Sequence, residues 1–378
     1  MIYFACIPNS EYLEGVIVVE RVYNFAAGPA AMPLPALERA QKELLSYGTT
    51  GMSVMEMSHR SKMYLEIYQY TEAAFRSVMN IPDDYAVLFL AGGATGEFSA
   101  IPMNLLPEDG IADYVDSGNF AHGAAVEAKK FGNIRIVASS REENYVRIPA
   151  FSLSDLDANA TYLHITTNNT IFGTRYTALP ETGDIPLVAD ASSNILSEVY
   201  DTRKFGVMYA GAQKNIGPAG MAVLIVRKDL LGHPRANTPK IYDWTKQAES
   251  DSMINTPPTF TIYMAGLCLD WVKDQGGVSA LEQVNIEKAN MLYDCIDNSK
   301  LFKGTADKEF RSRMNVTFVT GNPDSDAAFV KEAASNGLVN LKGHRLVDGI
   351  RASIYNAMPI EGVKKLVDFM KEYEVHHV

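Results

Sequence analysis

Short apolar runs recur along the first two thirds of the chain, each ending in a polar or glycine-rich loop. YAVLFL (85–90), IADYVDSG (111–118), IRIVAS (134–139), TYLHITTNN (161–169), IPLVADASS (185–193), GVMYAGA (206–212) and GMAVLIVR (220–227) read as strands. Their nearly unbroken apolar character predicts an α/β chain with a mostly parallel, seven-stranded sheet buried by helices on both faces. A helical period marks LPALERAQKELLSYG (34–48), with Pro35 in the first turn, Leu37, Leu44 and Leu45 on one face, and Gly48 as the stop. A glycine loop and then a helix follow the first strand, and another helix is expected over about 120–130. From about residue 259 the texture changes. Helices are predicted over 259–274 and 278–297, with DQGG between them, and RMNVTFVT (313–320), DAAFVKEAASNG (326–337) and EGVKKLVDFMKEYE (361–374) then alternate strand and helix. A large domain over 35–275 and a smaller C-terminal α/β domain over 276–378 are expected, with the break near Gly276.

Composition narrows the class. The chain has 378 residues, 47% hydrophobic and 21% charged, which allows two globular domains. No apolar run reaches the ~18 residues a membrane span requires. The first twenty residues carry no Lys or Arg, so the charged start of a signal peptide is missing. Residues 1–21 are poorly patterned and read as an extension; removing 1–18 is expected to leave activity intact. Cys6, Cys268 and Cys295 make no CxxC, which suits a reducing cytoplasm and disfavours structural zinc. A net charge of −11 without a long basic run argues against a nucleic-acid partner. A small anion can still bind a locally basic pocket.

The chemistry gathers at the ends of the predicted strands, where open α/β sheets bind ligands. In YAGAQKNIGPAGMAVLIV (209–226), Lys214 lies in a tight glycine and proline turn between two apolar strands. Burial lowers the pKa of an amine, and a neutral amine attacks carbonyls. The alternative is a lysine that reaches a surface carboxylate. Asp190 ends the apolar run IPLVAD, 24 residues before Lys214. An Asp against a pyridine nitrogen and a Lys on an aldehyde are the two requirements of a pyridoxal phosphate site; a strand-end cap is the plainer reading of Asp190. LAGGATGEF (90–98) places Gly92, Gly93, Gly96 and Thr95 between a strand and a helix, where backbone N–H groups approach an anion, or simply turn the chain. The loop is neither GxGxxG nor GxxxxGK[ST]. Phe120 suits stacking on a flat ring as well as core packing.

These residues sit within longer motifs. AGAQKNIGPAG, SRMNV, KGH and GIRASIYNAM, with NFAAGPAAMP, SHRSK, MNLLP and MINTPPTF, together resemble the phosphoserine aminotransferases, fold-type I, class V pyridoxal phosphate-dependent enzymes. The resemblance runs from about Val22 to the C-terminus. It implies a fold-type I transferase with residues 22–34 joining the small domain, and a cytoplasmic homodimer with shared active sites. It also implies a Schiff base of pyridoxal 5′-phosphate on Lys214, with Asp190 on the pyridine nitrogen, Ala94, Thr95 and Gln213 at the phosphate, Phe120 on the ring and Thr170 at the ring hydroxyl. Asn255 and Thr256 would reach the cofactor phosphate of the neighbouring subunit. Arg351 would hold the α-carboxylate, and His59, Arg60, His344 and Arg345 the substrate phosphate or the distal carboxylate of L-glutamate. The implied reaction moves an amino group from L-glutamate to 3-phosphohydroxypyruvate, and the related four-carbon phosphorylated keto acid of pyridoxine synthesis is a second expected acceptor. Ala27, Phe120 and Glu97 stand where that family commonly has Ser, Trp and Gln. Glu97 is expected to face away from the phosphate loop, since a carboxylate there would repel the anion.

Other readings fare worse. A cysteine desulfurase needs a reactive Cys on a mobile loop, whereas Cys268 and Cys295 fall in helical patterns. A glyoxylate-type aminotransferase has no need of the two HR pairs. A non-catalytic relative would lose Lys214 or Asp190, and GxSxG and HExxH are both missing.

Overall fold

A computed structural model describes residues 21–377 and, as backbone alone, the antiparallel pair Glu11–Leu13 and Val16–Val18. Cys6 and almost all of the expected extension lie outside the described residues. The seven predicted strands form one sheet: β1 (Tyr85–Gly92), β2 (Ile111–Asp116), β3 (Asn133–Ser139), β4 (Ala160–Thr166), β5 (Leu187–Asp190), β6 (Val207–Gly211) and β7 (Gly220–Arg227), in the order β1-β7-β6-β5-β4-β2-β3. Only β7 runs antiparallel to its neighbours. Alternation sends Val87 and Phe89 into one apolar layer and Ala86, Leu88 and Leu90 into the other. Both faces of the inner strands are covered, which is why they read as nearly unbroken apolar runs, while the edge strand β3 is partly exposed along its length.

On one face lie α1 (Leu34–Glu43), α2 (Lys62–Met79) and α6 (Thr259–Asp274); on the other lie α3 (Ala94–Leu105), α4 (Asn119–Ala128) and the short α5 (Trp244–Glu249). The first helix stops five residues before Gly48, the predicted end. Its buried face is Ala36 and Ala40, which brings α1 close enough to α6 for the Tyr263 hydroxyl to donate to Glu43 at 2.6 Å. Leu44 and Leu45 fall beyond that contact, and Leu45 is 85% exposed. Helix α2 is an element the apolar runs did not announce. Its inner stripe is Tyr64, Ile67, Tyr68, Thr71 and Phe75, mixed enough in character to hide a helical period. Ser61 caps its start and Asn80, in the left-handed region, ends it.

Helix α7 (Gly277–Asn298) serves two cores: Val278 and Leu281 pack with the large sheet, while Ala289, Leu292 and Ile296 pack with the smaller unit. That unit holds β8 (Lys303–Gly304), β9 (Asn315–Val319) and β10 (Ile350–Ser353), backed by α8 (Pro323–Ser335) and α9 (Ile360–His377). Tyr23–Asn24 pairs in parallel with Leu338–Val339, and Phe25 enters the same core. No helix among the described residues is long and apolar enough to cross a membrane.

One glycine fixes how closely the two units meet. Gly173 has φ +72, and a Cβ there would lie 2.4 Å from Thr317 Oγ1 and 2.9 Å from the Asn315 carbonyl on β9. Gly173→Ala is therefore strained in backbone and in space, with an expected cost of about 2 kcal/mol or more. A denaturation curve that matches the parent's would show that the interface yields.

Candidate active site

Four parallel strand ends open on one side of the sheet. Asp190 closes β5, in register with Thr166 of β4 and Tyr209 of β6. Beside it, β1 runs into α3 through Gly92, whose φ of +119 favours glycine. The N-cap of α3 is Gly93, with no side-chain cap. A Cβ added to Gly92, Gly93 or Gly96 would meet nothing within 4 Å, so the space ahead of the helix is open. An uncapped helix start facing open space is a ready anion cradle.

Lys214 arrives from the turn after β6. Its Nζ donates to Thr170 Oγ1 at 2.8 Å and lies 5.6 Å from the centroid of the Phe120 ring. A cavity of about 260 Å³ is lined by Ala94, Thr95, Phe120, Thr170, Asp190, Gln213, Lys214, His344 and Arg351. Nine residues expected from the sequence thus share one chamber. Lys214 keeps part of its surface open to that chamber, while its amine is enclosed by protein. Burial lowers its pKa to about 8, against the raising effect of Asp190, and Arg351 lowers it further. Asp190 is itself raised by burial, countered by Ser192 and the Lys214 charge. Its Oδ1 accepts the Ser192 N–H at 2.9 Å.

Arg351 makes the chamber basic within an acidic chain. Its Nη1 reaches the Thr170 carbonyl only at 3.4 Å, and its buried Nε has no partner. Burial lowers the guanidinium pKa with no carboxylate offsetting it. A half-buried, uncompensated guanidinium calls for an anionic ligand. His344 is likewise pushed down by burial and by Arg351 and Arg345.

The remaining expected residues lie elsewhere in the single chain. Arg60, Asn255, Thr256 and Arg345 are exposed, His59 is half-buried, and none lines the chamber. Four polar lining residues escaped the sequence reading: Thr166, Asn168, Ser192 and Ser193. Asn168 and Ser192 stand within TTNNT and ADASS, whose polar character at strand ends was the available signal. Thr166 Oγ1 is buried without a partner, a further polar atom open to a ligand. The uncapped helix start, the paired Asp190 and Lys214, and the flanking Phe120 fit a phosphorylated pyridine with an aldehyde.

The class-V aminotransferase family profile matches residues 22–366. The phosphoserine aminotransferase of Bacillus cereus is 49% identical over 359 residues, covering 95% of this chain and all of that protein. Among solved structures, the phosphoserine aminotransferase of Bacillus circulans subsp. alkalophilus superposes with a TM-score of 0.92 at 44% identity, covering 95% of this chain and all of that one. The pyridoxal phosphate-bound phosphoserine aminotransferase of Trichomonas vaginalis gives a TM-score of 0.89 at 39% identity, covering 93% of this chain and all of that one.

Glu97 faces away from the chamber, yet it is not solvated. It is 4% exposed on α3, and burial raises its carboxyl pKa to about 8. The Trp244 indole lies toward it and eases this slightly, but neither Trp244 Nε1 nor Glu97 Oε2 completes a regular hydrogen bond. The folded protein therefore holds a proton that the unfolded chain releases near pH 4.5. Stability from this proton is complete below that value and is lost as pH rises through about 8. Glu97→Gln, which mimics the protonated acid, is expected to flatten the fall in thermal midpoint between about pH 6 and 9. Parallel curves for the two proteins would contradict it.

Proposed function

The chain belongs to the class-V aminotransferase family, and from that premise we propose that it transfers the amino group of L-glutamate to 3-phosphohydroxypyruvate, giving O-phospho-L-serine and 2-oxoglutarate. The observation that carries this reading is the single chamber in which Lys214, Asp190, Arg351 and the uncapped start of α3 converge. Asp190 would hold the pyridine nitrogen of pyridoxal phosphate, Lys214 its aldehyde carbon, Thr170 its ring oxygen, and the Ala94 and Thr95 N–H groups its phosphate. When bound, the cofactor supplies an electron sink for the pair left at the substrate α-carbon.

The residues do the rest. Arg351 takes the α-carboxylate through a two-pronged contact, which turns the Cα–H bond toward Lys214. The lowered pKa of Lys214 leaves a useful neutral fraction near neutrality, so Nζ removes the α-proton of the donor and later returns one to the acceptor α-carbon. Ser192 and Lys214 oppose the upward push of burial on Asp190, and its carboxylate would hold positive charge opposite it and so favour the sink. Phe120 and Thr170 fix the plane across which the proton moves.

Phosphate recognition is assigned to the HR pairs. His344 lines the chamber, and Arg345 is its neighbour on the same loop. His59, Arg60, Asn255 and Thr256 are proposed to complete the chamber of a second copy, so the working unit is a cytoplasmic homodimer. The exposed Leu44 and Leu45 support a partner surface. A second cavity, of about 460 Å³, shares Ile171 and Arg351 with the chamber and leaves room for the four-carbon phosphorylated keto acid as an alternative acceptor.

A visible spectrum of the purified protein supplemented with pyridoxal phosphate tests the reading. A yellow band that bleaches with L-phosphoserine and with L-glutamate is expected. A band unmoved by both overturns the substrates, and no band overturns the cofactor. Lys214→Ala is expected to keep the thermal midpoint within a few degrees while losing all but trace amino transfer. Turnover within about tenfold of the parent would remove Lys214 from the chemistry.

A further inference from the structure

The loop that carries Lys214 is clasped from behind by side-chain amides contributed from three places in the chain. Asn215 follows the lysine directly and is buried. Its Nδ2 donates to the Ile195 carbonyl at 3.0 Å, and its Oδ1 accepts the backbone N–H of Asn356 at 3.0 Å. Asn356 in turn donates from Nδ2 to the Leu196 carbonyl at 2.8 Å. Its Oδ1 accepts from Asn285 Nδ2 on α7 at 2.8 Å, and Asn285 also donates to the Ser197 carbonyl at 3.0 Å.

The clasp joins the backbone segments behind all three charged groups. The carbonyls of residues 195–197 belong to the turn that follows Asp190. Asn215 is covalently next to Lys214. Asn356 lies five residues beyond Arg351, in the loop leaving β10. That loop is fixed again by Lys288, whose fully buried Nζ donates to the carbonyls of Ile354, Tyr355 and Met358 at 3.1, 2.9 and 3.1 Å. Leu196 is held at φ +63, a conformation a leucine adopts only when its surroundings impose it, and the Asn356 bond to its carbonyl is part of that imposition.

Ordinary packing does not need this arrangement. Apolar side chains would fill the same seam without the risk of an unpaired amide. A chain of buried amides gives direction instead: each bond sets a distance and an angle between backbone segments that carry a charge into the chamber.

Building on the transaminase reading above, we propose that Asn215 and Asn356 are positioning residues that hold the Lys214 amine at a set distance from Asp190 and Arg351. Neither touches substrate or cofactor; both act through the backbone of the residues that do. Cutting the link lets the Lys214 turn relax, so the amine reaches more water and loses its aim at the substrate α-carbon.

The test uses the full chain loaded with pyridoxal phosphate. Asn215→Ala, which removes the amide that ties the Lys214 turn to Ile195 and to the Asn356 N–H, is compared with Phe329→Leu, a substitution in the small-domain core far from the clasp, and both thermal midpoints are recorded. For Asn215→Ala, kcat for amino transfer from L-phosphoserine is expected to fall about tenfold or more, with KM changed less than about threefold. The pH midpoint of the visible band, which reports protonation of the nitrogen that Lys214 contributes to the Schiff base, should rise by about one unit as that nitrogen is better solvated. Phe329→Leu should leave kcat and pH midpoint at parent values for a comparable loss of stability. An Asn215→Ala protein that loses stability but keeps both values overturns the proposal, as does a Phe329→Leu protein that reproduces its changes. If Asn215→Ala does not fold, Asn356→Ala is read in its place, since it removes the side-chain bonds to Leu196 and Asn285 and leaves the backbone N–H that Asn215 accepts. A smaller shift in the same direction supports the clasp, and no shift overturns it. A parent protein that shows the band yet does not turn over L-phosphoserine defeats the substrate reading alone, because the band's pH midpoint still decides the role of the clasp.

Discussion

Placing two ionisable groups, Lys214 and Asp190, at the edge of a dry sheet and around one chamber is the constraint that governs the rest of the architecture. Each charge alone is costly at that depth. Burial pushes the lysine down and the aspartate up, and each partly offsets the other's shift. The result is a lysine lowered to about 8 facing an aspartate whose pKa burial raises. Each offset depends on the distance between the two groups. That dependence explains why the surrounding polar groups, Thr170, Ser192 and the asparagine clasp, are spent on orientation.

The sheet supplies the platform. Because consecutive strands run parallel, Thr166 and Asp190 end on the same side, and the turns after them meet there. Antiparallel β7 lets the chain come back beside β1, so the Lys214 turn lies near the start of α3. The smaller unit then closes the chamber from above with Arg351 and His344. Its seat is set by Gly173 against β9 and by two polar seams. One is the asparagine clasp. The other runs from Asn168 through Asn315 to Tyr355, whose hydroxyl donates to the Ala27 carbonyl at 2.9 Å. The small unit is therefore docked by directional bonds, as suits a site with charged residues on both sides of the seam.

The sequence was most legible where one physical demand controlled a whole segment. A strand covered on both faces has to be largely apolar, so the inner strands were readable from their runs, with ends displaced by a few residues, and the partly exposed edge strand β3 was readable from its short isoleucine and valine run. Helices α6 and α7 were equally clear. Helix α2 was not, because its buried stripe mixes tyrosines and a threonine with apolar residues, Tyr68 and Thr71 being bonded at their tips, which blurs the apolar period. Helix α1 was overextended because leucine at 44 and 45 reads as core wherever a helical period reaches it. The structure turns the chain away from α6 first.

The candidate site followed the same logic. Lys214 and Asp190 stood out because a charge at the end of an apolar run has no packing reason to be there, and the glycine loop stood out because three glycines between a strand and a helix leave the backbone N–H groups uncovered. The sequence by itself determined those three features, the parallel sheet and the order of the elements, since each is a local consequence of burial, period or backbone freedom. Arg351, some 137 residues beyond Lys214 in the chain, was expected at the site only through the resemblance of GIRASIYNAM, not from burial or period. The tertiary structure alone decided that Glu97 is buried with its carboxyl pKa raised, and that Asn215, Asn356 and Asn285 join into one clasp. Those outcomes depend on which segments meet in the fold, and a glutamate or an asparagine carries no sign in its own sequence neighbourhood of the distant groups that will surround it.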